Sequence, residues 1–212
     1  QNGPENKKGI AYYVRQKNAL FITVETFEIV DTMMQNAVIG EQLQWFRKVL
    51  DDNKDAEFII VQGHVPVFGK PKAHSSSYLM HRDSTDSGFW KVMAEYGVDA
   101  YLCGEFHDVT IDEKEGIWQI VHGSSWGRKI VNTMDYLVID IRQGEMKLTM
   151  KSFPMLAHGD NMWNLHKEKG PLEKVTIPKE AMEKGPQITG TLTIIKKENK
   201  KAFENVSGVF SK

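Results

Sequence analysis

The middle of the chain alternates helical segments with strands that are apolar almost throughout. FIIVQ (58–62) and VDAYLC (98–103) are short, apolar segments typical of strands that are buried on both faces of a sheet. Amphipathic helices are predicted before them, over EQLQWFRKVLDDN (41–53) and GFWKVMAEYG (88–97). A further strand is predicted over ALFITVETF (19–27). The order strand, helix, strand, helix, strand predicts an α/β sheet that has parallel strands and carries helices on a face.

Hairpins of alternating apolar and polar residues flank this central unit. The segment 9–16 pairs with 19–27 across the dipeptide KN in our prediction, and 33–40 is predicted to be a loop. Two further hairpins are predicted over 109–123, turning at EKEG, and over 135–153, turning at RQGE. Alternation of this kind is typical of antiparallel strands with one solvated face.

The pattern weakens after residue 153, so we divide the chain into two parts. Residues 1–153 form the predicted α/β unit, and 154–212 form a C-terminal extension of loop with one possible strand inside 190–203. The run KKENKK (196–201) is predicted to be a solvated turn or tail.

Composition excludes several classes of function. With 27 Lys and Arg against 28 Asp and Glu, the chain has no basic excess that would indicate binding to nucleic acid or anionic lipid. Its apolar runs are too short to cross a bilayer, so we expect a soluble chain. The compartment is left open, with a preference for the periplasm or the cell exterior. The single cysteine, Cys103, excludes an internal disulfide framework and a cysteine zinc site.

Two of the predicted parallel strands are followed by a glycine and then by residues that bind metals. Gly63 and His64 follow the first strand, and Gly104, Glu105 and His107 follow the second. Ligands of open α/β sheets bind outside the carboxyl ends of the strands, and imidazole and carboxylate suit zinc, iron or manganese. Residues two apart in an extended segment point to the same side, so Glu105 and His107 can face one ion or a pair of ions.

Other side chains are weaker candidates for this site. His122 again ends a predicted strand before a glycine, and we treat lining of the same site and a structural role as equally plausible. Arg82, in the polar loop beside His81, is a candidate for a bidentate phosphate contact and equally for a plain surface arginine. The remaining histidines are interpreted as surface or hydrogen-bonded residues: His74, His158 and His166.

These motifs, taken in order, resemble the second half of the calcineurin-like metallophosphoesterases. VQGHVPVFG (61–69) is similar to the fourth motif of that family, and CGEFHD (103–108) is similar to the fifth, with Glu105 where the family has its first histidine. The helix IGEQLQWFRKVLDDN (39–53) resembles the one between the third and fourth motifs. The strand ALFITVETF (19–27) resembles one in which the family often has a phrase ending in Asp-Thr.

The resemblance implies a fold, a site and a reaction. The fold would be the C-terminal half of a four-layer αββα sandwich with mixed sheets. The site would be a two-metal centre (Mn, Fe, Zn or Mg) that hydrolyses a phosphate ester, with His64 and Glu105 on one ion and His107 on the other. The three earlier motifs are absent, and no D-x-H occurs in the 212 residues. We therefore expect a missing N-terminal half as partner, and we expect the isolated chain to be inactive.

Two alternatives remain open at this point. One is a non-catalytic relative, a binding or scaffolding domain that kept the fold and lost the metals. Glu105 in place of a histidine favours that interpretation. The other alternative is an unrelated hydrolase in which His64, Glu105 and His107 hold a single metal with an open coordination position.

Overall fold

The computed structural model has mixed α/β architecture. The part of the chain that it describes comprises residues 2–69, 79–106, 108–122, 133–154, 156–157, 175–176, 178–198 and 200–211. Its strands are, in chain order, β1 (Tyr12–Gln16), β2 (Ala19–Thr23), β3 (Phe27–Val30), β4 (Met33–Asn36), β5 (Phe58–Gln62), β6 (Ala100–Cys103), β7 (Thr110–Lys114), β8 (Ile117–Val121), β9 (Thr133–Arg142), β10 (Glu145–Pro154), β11 (Leu156–Ala157), β12 (Val175–Thr176), β13 (Gln187–Lys197) and β14 (Lys200–Gly208). Its helices are α1 (Gly40–Asp52), α2 (Gly88–Glu95), α3 (Lys179–Lys184) and two 3₁₀ turns, Glu5–Lys7 and Ser84–Asp86.

The larger sheet has six strands in the order β1-β2-β5-β6-β8-β7. Strands β2, β5, β6 and β8 run parallel to one another, while β1 and β7 at the two edges are antiparallel to their neighbours. The predicted parallel sheet is therefore confirmed, with the predicted hairpins β1–β2 and β7–β8 at its edges. The strand predicted over 19–27 ends earlier, at Thr23, and the third predicted hairpin forms β9 and β10 of the second sheet. The four carboxyl ends of the parallel strands meet at one edge of this sheet.

The two faces of β5 show how the layers are assembled. Ile59 and Val61 are buried against helices α1 and α2, whereas Phe58 and Ile60 point the other way and are buried against the second sheet. This alternation follows from the two-residue period of a strand, and a strand buried on both faces must be apolar throughout. The described residues thus form a helical layer, the six-stranded sheet and a second sheet. A fourth, helical layer stays a prediction.

The second sheet is antiparallel, in the order β14-β13-β10-β9. Met146, Leu148 and Met150 of β10, with Leu192 and Ile194 of β13, supply its buried side. The sequence indicated only one possible strand after residue 153, but the structure has the hairpin β13–β14 there. The boundary placed after residue 153 stays a prediction, although β13 pairs directly with β10.

The segment 33–40, predicted to be a loop, also differs in the structure. Its first four residues form β4, which pairs with β3 in a separate two-stranded antiparallel sheet. Asp31 and Thr32 between them have φ values of 50° and 68°, the left-handed conformation that tight hairpin turns require. Sequence reasoning missed this hairpin because glycine or asparagine normally marks such a turn, and neither is present.

An ion-paired aspartate joins the two sheets at the end opposite the carboxyl edge. Asp99 has no exposed surface, and its carboxylate lies 2.7 Å from Lys196 Nζ and 2.9 Å from Lys201 Nζ. It also accepts a hydrogen bond from Ile59 N at 2.9 Å. Lys196 and Lys201 both belong to the KKENKK run, so its prediction as a solvated turn or tail is wrong for these two side chains. Burial lowers the pKa of Lys196, and Asp99 opposes that shift.

No helix among the described residues has both the length and the apolar character needed to span a membrane.

We predict that Asp99→Ala lowers the free energy of unfolding by about 3 to 5 kcal/mol, because it leaves two lysines partly buried without their counter-ion. Urea denaturation followed by circular dichroism measures this change. The matched control is Asp52→Ala, which removes an exposed ion pair with Lys48 and should cost no more than about 1 kcal/mol. Equal losses for the two variants would contradict a dominant role for Asp99.

Candidate functional site

A cavity of about 450 Å³ opens at the carboxyl edge of the larger sheet. Its walls come from the last residues of β2, β5 and β6 and from the segments that follow β2, β5, β6 and β8, the four parallel strands that end at this edge. The lining residues are Thr23, Val24, Glu25, Thr26, Phe27, Gln62, Gly63, His64, Leu102, Cys103, Gly104 and His122. This is the position at which open α/β sheets bind their ligands.

Two glycines allow the strand ends to approach one another closely. A Cβ atom on Gly63 would lie 2.7 Å from Thr26 Cγ2 and 2.8 Å from the Tyr101 hydroxyl, both of which are buried. A Cβ atom on Gly104 would lie 3.3 Å from His64 Nδ1. The backbone of Gly104 also donates a hydrogen bond to the carbonyl of His64 at 2.9 Å. Absence of a side chain at Gly104 therefore lets the imidazole of His64 pack against the corner after β6, and its absence at Gly63 lets the end of β5 pack against Thr26 and Tyr101.

The structure brings His64 and Glu105 together. His64 Nε2 lies 3.1 Å from Glu105 Oε2, with the imidazole 52% exposed toward solvent and the carboxylate only 5% exposed. Glu105 has a φ of 66°, which costs a non-glycine residue of the order of 1 kcal/mol. Strained backbone that holds a buried carboxylate against a histidine is typical of functional sites.

The donor atoms of this pair have a spacing that fits a shared metal ion. Ligands about 2.1 Å from one ion, in tetrahedral or octahedral arrangement, lie roughly 3.0 to 3.4 Å from each other. The 3.1 Å between His64 Nε2 and Glu105 Oε2 falls in this range. The same distance is also an ordinary hydrogen bond, so the pair is satisfied with or without an ion.

The third predicted ligand, His107, lies outside the described residues. Within the described residues, no three histidine, cysteine, aspartate or glutamate side chains are grouped closely enough to hold a metal ion. The assignment of His64, Glu105 and His107 to metal therefore stays a prediction.

His122 lines the same cavity as His64. It follows β8, and its backbone N–H donates to the carbonyl of Cys103 at 3.4 Å, at the adjacent strand end. Burial lowers the pKa of His122 and so favours its neutral imidazole, which has one N–H donor and one nitrogen acceptor. Its predicted role toward substrate stays a prediction.

Arg82 is not among the residues that line the cavity. Its guanidinium donates to Gln35 of β4 and lies 3.2 Å from the carboxylate of Asp83. The neighbouring His81 is buried, with Nε2 accepting from Val38 N at 3.0 Å and Nδ1 donating to the Arg82 carbonyl at 2.7 Å. Burial lowers the pKa of His81, and these two bonds give it a structural role. Substrate binding by Arg82 stays a prediction that its present contacts do not favour.

The histidines predicted to be unrelated to the site, His74, His158 and His166, lie outside the described residues.

Sequence reasoning missed the contribution of the segment after β2. The carboxylate of Glu25 accepts a hydrogen bond from Phe27 N at 2.8 Å. The buried side-chain amide of Gln42 accepts from Glu25 N at 2.8 Å and donates to the Glu25 carbonyl at 2.9 Å. The hydroxyl of Thr26 accepts from Val65 N at 3.3 Å, which ties this segment to the one after β5. The sequence did contain a signal for this contribution. The strand predicted over 19–27 belongs to the same parallel sheet, so the residues at its carboxyl end are expected at the same edge.

Comparison with known proteins gives a weak and partial likeness to acid phosphatases. The chain is 27% identical over 84 residues to tartrate-resistant acid phosphatase type 5 of Oryctolagus cuniculus, covering 39% of this chain and 24% of the relative. It is 27% identical over 88 residues to the Rattus norvegicus protein of the same name, covering 41% of this chain and 25% of the relative. The match thus spans about a quarter of the length of these relatives.

Solved structures give only distant similarity. GAP50, described as the anchor in the inner membrane complex of Plasmodium, aligns with a TM-score of 0.42 and 14% identity, over 80% of this chain and 54% of that chain. A protein described as a 5′-nucleotidase of Staphylococcus aureus aligns with a TM-score of 0.33 and 9% identity, over 83% of this chain and 32% of that chain. No family model matches the sequence. The architecture is mixed α/β with mixed sheets, and the sequence likeness to acid phosphatases is consistent with a metallophosphoesterase-like fold.

Proposed function

We propose that the cavity at the carboxyl edge is part of a metal-dependent phosphoesterase centre. The observation that carries the proposal is the pair formed by His64 and Glu105, whose donor atoms lie 3.1 Å apart where two parallel strands end. The likeness to acid phosphatases supports the reaction class, since it was found independently of the site geometry.

The charge of the cavity supports a metal ion as well. Its described lining contains Glu25 and no lysine or arginine, and the buried carboxylate of Glu105 lies against His64. A phosphate ester carries negative charge, so carboxylates without a cation would repel it. A divalent ion held by these groups would reverse the sign of the local charge.

The roles of the side chains follow from this arrangement. His64 and Glu105 would hold one ion, and by the family resemblance His107 would hold a second. Divalent ions in such centres make a nucleophilic water available near neutral pH and offset charge on the phosphoryl oxygens. The neutral imidazole of His122 can hydrogen-bond a phosphoryl or leaving-group oxygen at the other side of the cavity.

The cysteine of the cavity does not compete as nucleophile. Cys103 is buried, and burial raises the pKa of its thiol well above the ordinary value. The reactive form of a cysteine is the thiolate, which this environment disfavours. Phosphoryl transfer to Cys103 is therefore not part of the proposed reaction.

A missing N-terminal half remains part of the proposal. The three described or predicted ligands are too few for two metal shells of four to six ligands each.

The second candidate function is a binding or scaffolding domain without metal. The direct contact between His64 and Glu105 favours it, because each group has a hydrogen-bonding partner even when no ion is present. Metal analysis of the complete protein separates the possibilities: two ions indicate the phosphoesterase, one ion the single-metal hydrolase, and none the scaffold.

We predict that Glu105→Gln weakens binding of Mn²⁺ by more than about tenfold, because the amide keeps the volume and the contact with His64 but loses the charge. Isothermal titration calorimetry and metal analysis of the purified variant measure the change. Glu95→Gln is the matched control, since Glu95 is ion-paired with Arg47 at 2.8 Å and lies outside the cavity. Unchanged stoichiometry and affinity in Glu105→Gln would remove Glu105 from the ligand set.

We also predict that the 212-residue chain alone has negligible activity on an aryl phosphate with added Mn²⁺, because its metal shells are incomplete. A spectrophotometric assay with p-nitrophenyl phosphate tests this, with the longer protein as positive control. Robust turnover by the chain alone, abolished by a chelator, would show that the missing ligands lie within these residues.

A further inference from the structure

The hairpin formed by β3 and β4 exposes large apolar side chains next to the cavity. Ile29 is 74% exposed, Met33 69% and Met34 66%, and these are among the most exposed large apolar residues of the described chain. Single exposed apolar residues are ordinary, but Ile29 and Met34 lie directly opposite each other on one face of the hairpin and form a patch that indicates a binding surface.

One face of this hairpin is continuous with the cavity. Phe27 lines the cavity, and its ring centroid lies 5.9 Å from that of His64. Ile29 is two residues further along β3 and therefore on the same face, and Met34 is its direct partner across the pair. We call Phe27, Ile29 and Met34 the apolar strip.

The hairpin is anchored by its polar groups, which leaves the apolar strip uncovered among the described residues. Lys7 Nζ lies 3.1 Å from the carboxylate of Glu28 and donates to the Phe27 carbonyl at 3.1 Å. The amide of Asn36, on the face of the strip, donates to the Met80 carbonyl at 3.2 Å. The charge of Glu28 is thus paired on the opposite face, and the strip presents carbon and sulfur to a ligand.

We propose that the apolar strip binds the apolar leaving group of a phosphate ester whose phosphoryl group lies in the cavity. This inference rests on the proposed function, since it assigns the phosphoryl group to the cavity beside His64. Two residues of strand span about 7 Å, which is long enough to cover one aromatic ring. The substrate class is therefore an aryl or short alkyl phosphate rather than a sugar phosphate, whose hydroxyls would lose water without gaining partners on the strip.

The experiment uses two ligands that cannot be hydrolysed, benzylphosphonate and methylphosphonate, with Mn²⁺ and the complete protein, because the proposed metal shells are incomplete in the 212-residue chain. Methyl groups of ¹³C-labelled methionine report binding by NMR without any need for turnover. Benzylphosphonate is expected to bind roughly fivefold to tenfold more tightly than methylphosphonate, because its ring buries apolar surface. The signal of Met34 should shift with benzylphosphonate, and the signal of Met182 should not.

Two variants provide the matched comparison. Met34→Ser should reduce the preference for benzylphosphonate to less than about twofold, since it removes most of the apolar surface opposite Ile29. Met182→Ser replaces a methionine of the same 66% exposure on α3 and should leave the preference unchanged. His64→Ala should weaken both phosphonates, which separates binding through the cavity from adsorption on the strip.

Several outcomes would overturn the inference. These are equal affinity for the two phosphonates, binding of neither, an unshifted Met34 signal, or a preference that survives in Met34→Ser. A Met34 signal that responds to lipid vesicles and not to phosphonates would assign the hairpin to a membrane surface instead. If the complete protein prefers benzylphosphonate but hydrolyses no phosphate ester, only the proposed reaction is refuted. If it hydrolyses phosphate esters but binds the two phosphonates equally, only the role of the apolar strip is refuted.

Discussion

The rest of the structure depends on the ion pairs of Asp99, which link the six-stranded sheet to the four-stranded sheet. A fully buried carboxylate is costly unless it is paired, and both of its cations come from the hairpin β13–β14 near the end of the chain. Lys201 Nζ also donates to the carbonyls of Gly97, Val98 and Gly116. The end of the sequence is thereby attached to the start of β6, and β6 in turn leads to Gly104 and Glu105.

The cavity is formed at the opposite end of the same strands. Apolar strands buried on both faces hold four carboxyl ends in register, and the glycines at 63 and 104 allow the segments after β5 and β6 to come into contact. His64 and Glu105 meet because of that contact, although 41 residues separate them in the chain. The left-handed conformation of Glu105 is a local strain that the packing of the surrounding strands must offset.

Most of the architecture could be predicted from local patterns. The boundaries of β5 match the predicted segment 58–62, and α2 is capped by Ser87, whose hydroxyl accepts from Trp90 N at 3.2 Å. The hairpin β3–β4 could not be predicted, because its turn at Asp31 and Thr32 carries no glycine signal. The lysines of KKENKK were misinterpreted as solvated because lysine pairing with a buried aspartate about a hundred residues away leaves no local pattern.

For the site, the positions of the strand ends and the residue types were sufficient to predict that His64, Glu105 and His122 lie at the carboxyl edge of the larger sheet. The sequence by itself determined the alternation of apolar strands and helices, and with it the edge at which polar residues collect, since these depend on local periodicity. Only the tertiary structure decided which of those residues touch. It placed His64 against Glu105, held Arg82 at Gln35 and set Phe27 beside the cavity, because such contacts depend on backbone approach and burial between distant segments.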